Sequence, residues 1–119
     1  MKQYKRSVRI GEQILRELAI AVNSRLQERF AGLVTFTRVR VTDDLRYATV
    51  YYSYLGSESN RQSVATYFQR EAGRIRKLVG APLQLRHIPE FKFEFDPSIE
   101  EGIRIEQLLN EIKDDLQRE

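Results

Sequence analysis

Hydrophobic positions recur at helical spacing in the first quarter of the chain. Seven residues share one face of that helix: Val8, Gly11, Ile14, Leu15, Leu18, Val22 and Leu26. This spacing predicts one amphipathic helix over residues 7–30, with Ser7 as its N-cap. Ala31-Gly32 is expected to end it.

Two β-type segments follow. Residues 33–41 and 46–55 are rich in β-branched and aromatic residues, and Thr42-Asp43-Asp44 between them has turn composition. A β-hairpin is therefore predicted. Strict alternation assigns four side chains of the first strand to one side: Val34, Phe36, Arg38 and Arg40.

The helical period returns over residues 60–80. The predicted apolar face contains Val64, Tyr67, Phe68, Ile75, Leu78 and Val79. Gly73 falls on the opposite face, among Arg70, Arg74 and Lys77. A glycine in a helix interior costs about 1 kcal/mol relative to alanine, so we expect the helix to be interrupted at Ala72-Gly73. Two explanations stay open: a close approach by another backbone, such as an RNA phosphodiester, or a bend that wraps the helix around the sheet.

The last third predicts a strand and a helix. Residues 83–95 alternate, with Leu83, Leu85, Phe91, Phe93 and Phe95 on the core side. Pro89 lacks a ladder donor and favours an edge position or a bulge. Apolar residues at helical spacing predict an acidic amphipathic helix from residue 98 onward.

Charge is distributed unevenly along the 119 residues. Residues 1–92 carry 17 Lys/Arg and 8 Asp/Glu, whereas residues 93–119 carry 3 and 9. A basic body is typical of proteins that bind phosphate backbones, although many soluble proteins have one without such a partner. Besides the cations opposite the apolar face, Lys5, Arg9 and Arg16 lie on a flank of the first helix.

Catalytic and metal-binding patterns are not found. The sequence has no cysteine, no Walker-type glycine loop and no dinucleotide fingerprint. The single histidine, His87, is expected in a strand on the apolar side, without companions for a metal site. Asp43 and Asp44 are expected to be turn formers. We therefore expect a protein that is not an enzyme and uses no cofactor or metal.

The second strand contains a cluster of tyrosines at positions 47, 51, 52 and 54. Aromatic side chains on a sheet can stack with single-stranded RNA bases. Tyrosine is also a common strand residue, and half of these side chains are expected to face the core, which is the favoured interpretation. No apolar stretch reaches the roughly 20 residues of a membrane span, and a cytoplasmic location is expected.

The element order resembles a type II KH domain, and three stretches resemble the ribosome-binding factor A family in particular. They are VRIGEQILRELA, VRVTDDLRYATVYYSYLG and AGRIRKLVGAPLQLRHIPEFKFEFDPSIEEGIRIEQLL. The last is the most specific, because it combines IRKLVG, LRHIPEFKF and a D-x-S-x-E-x-G-x-R-I segment. In that family an Ala-x-Gly kink replaces the KH GxxG loop. The matching triplet here is Glu71-Ala72-Gly73, with Glu where the family prefers a small residue.

This resemblance implies an α+β, type II KH-like domain of the order α-β-β-α-kink-α-β. Its three-stranded sheet would have helices packed on one face, plus a C-terminal helix. Residues 1–97 would form the KH-like RNA-binding domain, and residues 98–119 an acidic helix of the same domain. The implied function is non-catalytic binding to the small (30S) ribosomal subunit and its 16S rRNA during late maturation. The resemblance also implies support of rRNA precursor processing and a role in cold adaptation. The protein would act as a monomer, would have ribosomal proteins as further partners and would not bind a membrane.

The expected RNA contacts come from Gly73 at the interruption and from the cations around it and at the first helix. The full set is Lys5, Arg6, Arg9, Arg70, Gly73, Arg74, Arg76, Lys77 and Arg86. Weaker candidates are Arg38, Arg40 and Arg46, because arginines on a sheet surface often pair with acids such as Glu90 or Glu94. Two other functions stay open: a KH-like protein-interaction module without direct RNA binding, and a small ferredoxin-like enzyme such as a phosphatase.

Overall fold

A computed structural model of the chain describes residues 5–117, so residues 1–4 and 118–119 of the predicted domain ranges lie outside it. The predicted α+β class is confirmed. The elements are α1 (Arg6–Ala21), α2 (Asn23–Arg29), β1 (Leu33–Val41), β2 (Tyr47–Leu55), α3 (Glu58–Gly80), a 3-10 turn (Ala81–Leu83), β3 (Glu90–Phe95) and α4 (Ser98–Gln117).

The three strands form one sheet in the order β1-β2-β3. β1 and β2 are the predicted antiparallel hairpin, whereas β3 runs parallel to β2 after the α3 crossover. One face of β2 presents Ala48, Val50, Tyr52 and Tyr54, all of them buried. α1 and α2 pack on β1, and α3 packs on β3. The predicted packing of helices on one face of the sheet is thus confirmed.

A β-bulge in β1 corrects the predicted alternation. The pairing with β2 shifts between Phe36 and Arg38, so that Thr37 has no partner in the ladder. A bulge adds one residue to one strand and reverses its inward–outward alternation from that point. Arg38 and Arg40 are therefore exposed, while Val39 and Val41 pack with the core. The prediction that both arginines share a face with Val34 and Phe36 is wrong.

The first helix differs from its prediction in two respects. It is divided at Val22 into α1 and α2. It also starts one residue early, with Lys5 as N-cap, so Ser7 lies buried within the first turn, not at the cap. Its hydroxyl donates to Asp43 Oδ1 at 3.4 Å. Because the core-facing side is centred on Ile10, Ile14 and Leu18, Val8 is left 43% exposed.

α3 is one continuous helix through Ala72 and Gly73, and the predicted interruption is wrong. Ser57 caps the helix, since its side chain accepts a hydrogen bond from Asn60 N at 3.3 Å. Gly73 does point outward, and a Cβ built on it would meet no atom within 4 Å. One glycine is a small penalty for a helix held by buried Phe68, Ile75 and Val79.

β3 begins at Glu90 and not at residue 83 as predicted. Pro82 lies in the 3-10 turn, and Gln84 then adopts a left-handed conformation with φ 52°. Leu83 and Leu85 still pack against the core, which explains the misleading alternation. His87 lies exposed in the loop and not in a strand. Phe91, Phe93 and Phe95 face the core as predicted.

α4 follows a short turn at Asp96. The Asp96 carboxylate accepts hydrogen bonds from Ser98 N at 3.0 Å and from Thr37 Oγ1 at 2.8 Å, and these hydrogen bonds hold its pKa below the usual value. No residue of α4 is buried, and its main contacts with the body are made to β2. The predicted acidic amphipathic helix is confirmed, whereas its assignment to the same domain stays a prediction.

Candidate nucleic-acid interface

The outer face of α3 carries the cations that the sequence predicted there. Arg70, Gly73, Arg74 and Lys77 are all exposed on it, because α-helical spacing places residues three, four and seven apart on one side. Arg74 forms an ion pair with Glu71 at 3.8 Å. Glu71 therefore orients one of the cations, and the net charge of this face stays positive.

Two further arginines extend this surface. A groove of about 320 Å³ between α2 and α3 is lined by Arg25, Arg29 and Arg74, and Arg29 continues into a neighbouring groove that contains Arg70. The Arg29 guanidinium lies 4.8 Å from the centre of the Tyr67 ring, a favourable cation–π geometry. Sequence reasoning missed Arg25 and Arg29, although their spacing of four residues places both on one side of a helix. We call Arg25, Arg29, Arg70, Arg74 and Lys77 the helix surface.

A second basic site lies where the start of α1, the β1–β2 turn and the loop before β3 meet. We call it the turn cleft; its volume is about 610 Å³. Its lining joins three predicted residues to one of the weaker candidates: Arg6, Arg76, Arg86 and Arg46. Asp44 and Glu90 line it too, so that four guanidinium groups face two carboxylates.

Arg76 has a structural role within that cleft. Its Nε donates to the carbonyls of Ile88 and Pro89, at 3.2 and 2.9 Å, and its Nη2 donates to Ile88 O at 2.5 Å. Arg76 lies on a different side of α3 from Arg70 and Lys77, so it turns toward β3. Its guanidinium holds the loop that leads into that strand.

Lys5 and Arg9 do not join either site. Lys5 forms an ion pair with Asp43 at 3.8 Å, beside a groove that also contains Arg38 and Arg40. Arg9 is exposed. The cations predicted together at the first helix are therefore divided, with Arg6 in the turn cleft and Lys5 on the hairpin turn.

The tyrosines of β2 divide as the sequence indicated. Tyr52 and Tyr54 are buried in the core, and burial raises the pKa of the Tyr52 hydroxyl. Tyr51 is covered by Arg38, whose guanidinium lies 4.1 Å from the ring centre. Tyr47 is 54% exposed and lines the turn cleft. It is therefore the tyrosine of β2 best placed to stack with a base.

Residues 5–117 contain neither a cluster of metal-binding side chains nor a helix that could span a membrane. No group of three or more His, Asp or Glu side chains there could hold a metal ion. Within the same residues, no helix is both long and apolar enough to cross a bilayer.

Gly73 provides a separable prediction for stability and binding. Replacing Gly73 with Ala should raise the free energy of unfolding by about 0.5–1 kcal/mol, because the added methyl meets open space and helix propensity improves. If Gly73 leaves room for an RNA backbone, the same variant should bind RNA more weakly. Chemical denaturation and RNA titration measure the two effects. Gly102→Ala, at the other exposed helical glycine with open space around it, is the control and should leave RNA affinity unchanged. Equal RNA affinity of Gly73→Ala and native protein would contradict this role.

The element order and the sheet define a small α+β domain with one three-stranded sheet, and two basic surfaces lie on it. Residues 6–109 match the model of the family described as ribosome-binding factor A. The ribosome-binding factor A of Nitrosomonas europaea is 36% identical over 110 residues, which are 92% of this chain and 94% of the relative. The chain therefore belongs to the ribosome-binding factor A family, and the resemblance inferred from the sequence is confirmed.

Solved structures agree on the fold. The crystal structure of ribosome-binding factor A from Thermus thermophilus has a TM-score of 0.62 at 20% identity, and the match covers 74% of this chain and 93% of that one. A homology model of the Thermus thermophilus factor, fitted into a cryo-EM map of a complex of the 30S subunit with that factor, has a TM-score of 0.64 at 20% identity. That match covers 76% of this chain and 96% of the other.

Proposed function

We propose that this protein binds the small ribosomal subunit through its 16S rRNA during late maturation and supports processing of the rRNA precursor. It acts as a monomer in the cytoplasm, without bond chemistry of its own, and is most needed in the cold. The observation that carries the proposal is family membership over nearly the whole chain, together with the 30S complex known for the Thermus thermophilus relative.

The electrostatics of the helix surface support RNA as the direct ligand. Four of its five cations, all but Arg74, form no ion pair within residues 5–117. Lys and Arg side chains that contact phosphates position a protein on RNA without reading its sequence. A rigid domain that binds one rRNA conformation more tightly than another shifts the equilibrium toward it. Such a domain can assist maturation by binding alone.

Salt dependence distinguishes this function from that of a protein-interaction module. Each phosphate contact releases counterions, so three contacts should weaken binding to purified small subunits by roughly 20- to 40-fold between 50 and 200 mM salt, and further contacts should weaken it more. Binding is measured by sedimentation at several salt concentrations. A change of twofold or less over this range would identify a protein interface and overturn the proposed RNA contact.

A further inference from the structure

The turn cleft is larger than either groove of the helix surface. Its volume is about 610 Å³, against about 320 and 480 Å³ for those two grooves. This volume lies well within the range of small-molecule sites, roughly 300–1,000 Å³. Four arginines line the cleft, so it can enclose a small anionic group.

The cations of the turn cleft are available to a ligand. Arg6, Arg46 and Arg86 are exposed, and none of the four guanidinium groups forms an ion pair within the described residues. Arg76 is already oriented, because backbone carbonyls hold its Nε and Nη2. No partner within residues 5–117 takes its Nη1 hydrogens. A guanidinium fixed in this way loses little entropy when it binds a phosphate.

The backbone around the turn cleft is strained. Within the described chain, two non-glycine residues have positive φ, Leu45 at 63° and Gln84 at 52°. Leu45 lines the cleft, and Gln84 directly precedes Leu85 in its wall. Left-handed backbone costs such residues about 1 kcal/mol or more, and strain of this kind is concentrated at ligand sites. Both strained positions thus shape the same cleft.

The lining also offers a surface for a nucleobase. Tyr47 is 54% exposed, and Leu85 and Ile88 contribute apolar surface near the cations. An exposed aromatic ring beside guanidinium groups suits a base attached to a phosphate. Asp44 Oδ1 is already occupied, since it accepts from Thr42 Oγ1 at 2.6 Å and from Arg46 N at 3.1 Å. Glu90 has no ion pair within residues 5–117 and can accept a hydrogen bond from a base amino group.

We propose that the turn cleft binds one unpaired nucleotide of an RNA strand. Its base stacks on Tyr47, and its phosphate is held by Arg46, Arg76 and Arg86. Because a paired base cannot leave its helix to enter a cleft without an unpairing cost, the site selects single-stranded RNA. This nucleotide site rests on the proposed RNA-binding function in one respect, because that function supplies the RNA strand from which the nucleotide comes.

The test measures mononucleotide binding to the native protein by ¹H–¹⁵N NMR. Adenosine monophosphate should shift the amides of residues 44–47 and 85–90, with a dissociation constant in the millimolar range. Adenosine and inorganic phosphate should each bind at least about fivefold more weakly, because each lacks one of the two interactions. Equal affinity for phosphate and the mononucleotide would overturn the proposal, since it would show an anion site alone. So would mononucleotide shifts confined to the helix surface.

Variants separate stacking from charge. Tyr47→Ala should weaken mononucleotide binding at least about fivefold, whereas Tyr47→Phe, which keeps the ring, should stay within about twofold of native. Arg86→Ala should weaken both the mononucleotide and phosphate. Arg16→Ala, an exposed arginine outside the cleft, is the control and should change neither. Unchanged mononucleotide binding in Tyr47→Ala would overturn the stacking role.

This outcome is independent of the ribosomal assay. If the protein binds the mononucleotide but not small subunits, the nucleotide site in the turn cleft is supported and the proposed function is refuted. If the protein binds small subunits but the mononucleotide does not bind in the turn cleft, the proposed function is supported and the nucleotide site is refuted.

Discussion

Replacing Phe68 with alanine is expected to lower the free energy of unfolding by about 3–5 kcal/mol, the range for a fully buried aromatic residue. Phe68 is 0% exposed and is the centre of the core. Its ring stacks on Phe93 with centroids 4.4 Å apart, and it also contacts Tyr52 at 4.7 Å and Phe36 at 5.9 Å. Removing it leaves a cavity beneath α3, between aromatic side chains that come from all three strands.

Urea unfolding followed by circular dichroism measures this effect. Phe95→Ala is the matched control, because Phe95 is only half-buried and its ring meets Tyr52 edge-on at 5.9 Å. It should lose less than half as much stability as Phe68→Ala. Similar losses in the two variants would contradict a core organised around Phe68.

Reversing three charges on the helix surface is expected to have the largest effect on RNA affinity. The combined variant Arg70→Glu, Arg74→Glu and Lys77→Glu should bind small subunits roughly 100-fold more weakly at low salt. It replaces attraction to phosphate by repulsion at three adjacent positions. All three side chains are exposed, but the variant replaces the Arg74–Glu71 ion pair with like charges and removes Lys77 from the last turn of α3, so the melting temperature should fall by a few degrees. Binding is therefore compared at a temperature at which circular dichroism shows both proteins folded. The salt dependence of the residual binding should decrease by about one unit of slope for each lost contact.

The control for this variant carries the same change in net charge elsewhere. This control combines three substitutions at exposed positions on α1, β3 and α4: Arg16→Glu, Lys92→Glu and Arg104→Glu. This control should lose far less affinity than the helix-surface variant. An equal loss in both would mean that overall charge, and not the helix surface, determines binding.

Local patterns predicted most of the fold, and they failed where a side chain or one extra residue redirected the chain. The β1–β2 hairpin was predictable because β-branched runs flank an Asp-rich turn. The bulge at Thr37 was not, because nothing in the alternation of β1 marks the extra residue. β3 was predicted too long, since Leu83 and Leu85 keep the strand pattern although they pack from a 3-10 turn and a loop.

The interruption of α3 was predicted from the glycine in its interior. The prediction failed because core packing stabilises the helix by more than one glycine destabilises it. Phe68, Ile75 and Val79 are buried on both sides of Gly73 and keep the helix continuous. The outward direction of Gly73 was nevertheless predicted correctly, because it depends only on helical geometry.

Half of the candidate site could be predicted in the same way. Arg70, Arg74 and Lys77 follow from the spacing along one helix. The turn cleft could not be predicted as a unit, because Arg6, Arg46 and Arg86 come from three segments that only the folded sheet brings together. Arg25 and Arg29 were missed because only tertiary packing brings them beside α3, where Arg29 covers the Tyr67 ring and both arginines line a groove with Arg74.

Sedimentation of the native protein with purified small and large subunits, side by side at about 150 mM salt, tests whether this chain binds the small ribosomal subunit. Phosphate contacts that do not discriminate between RNAs are weakened at this salt concentration, so that binding to large subunits is suppressed. We expect the protein to pellet with small subunits at a ratio of about one to one and to stay in the supernatant with large ones. Absence from the small-subunit pellet, or equal recovery with both subunits, would contradict binding to the small subunit.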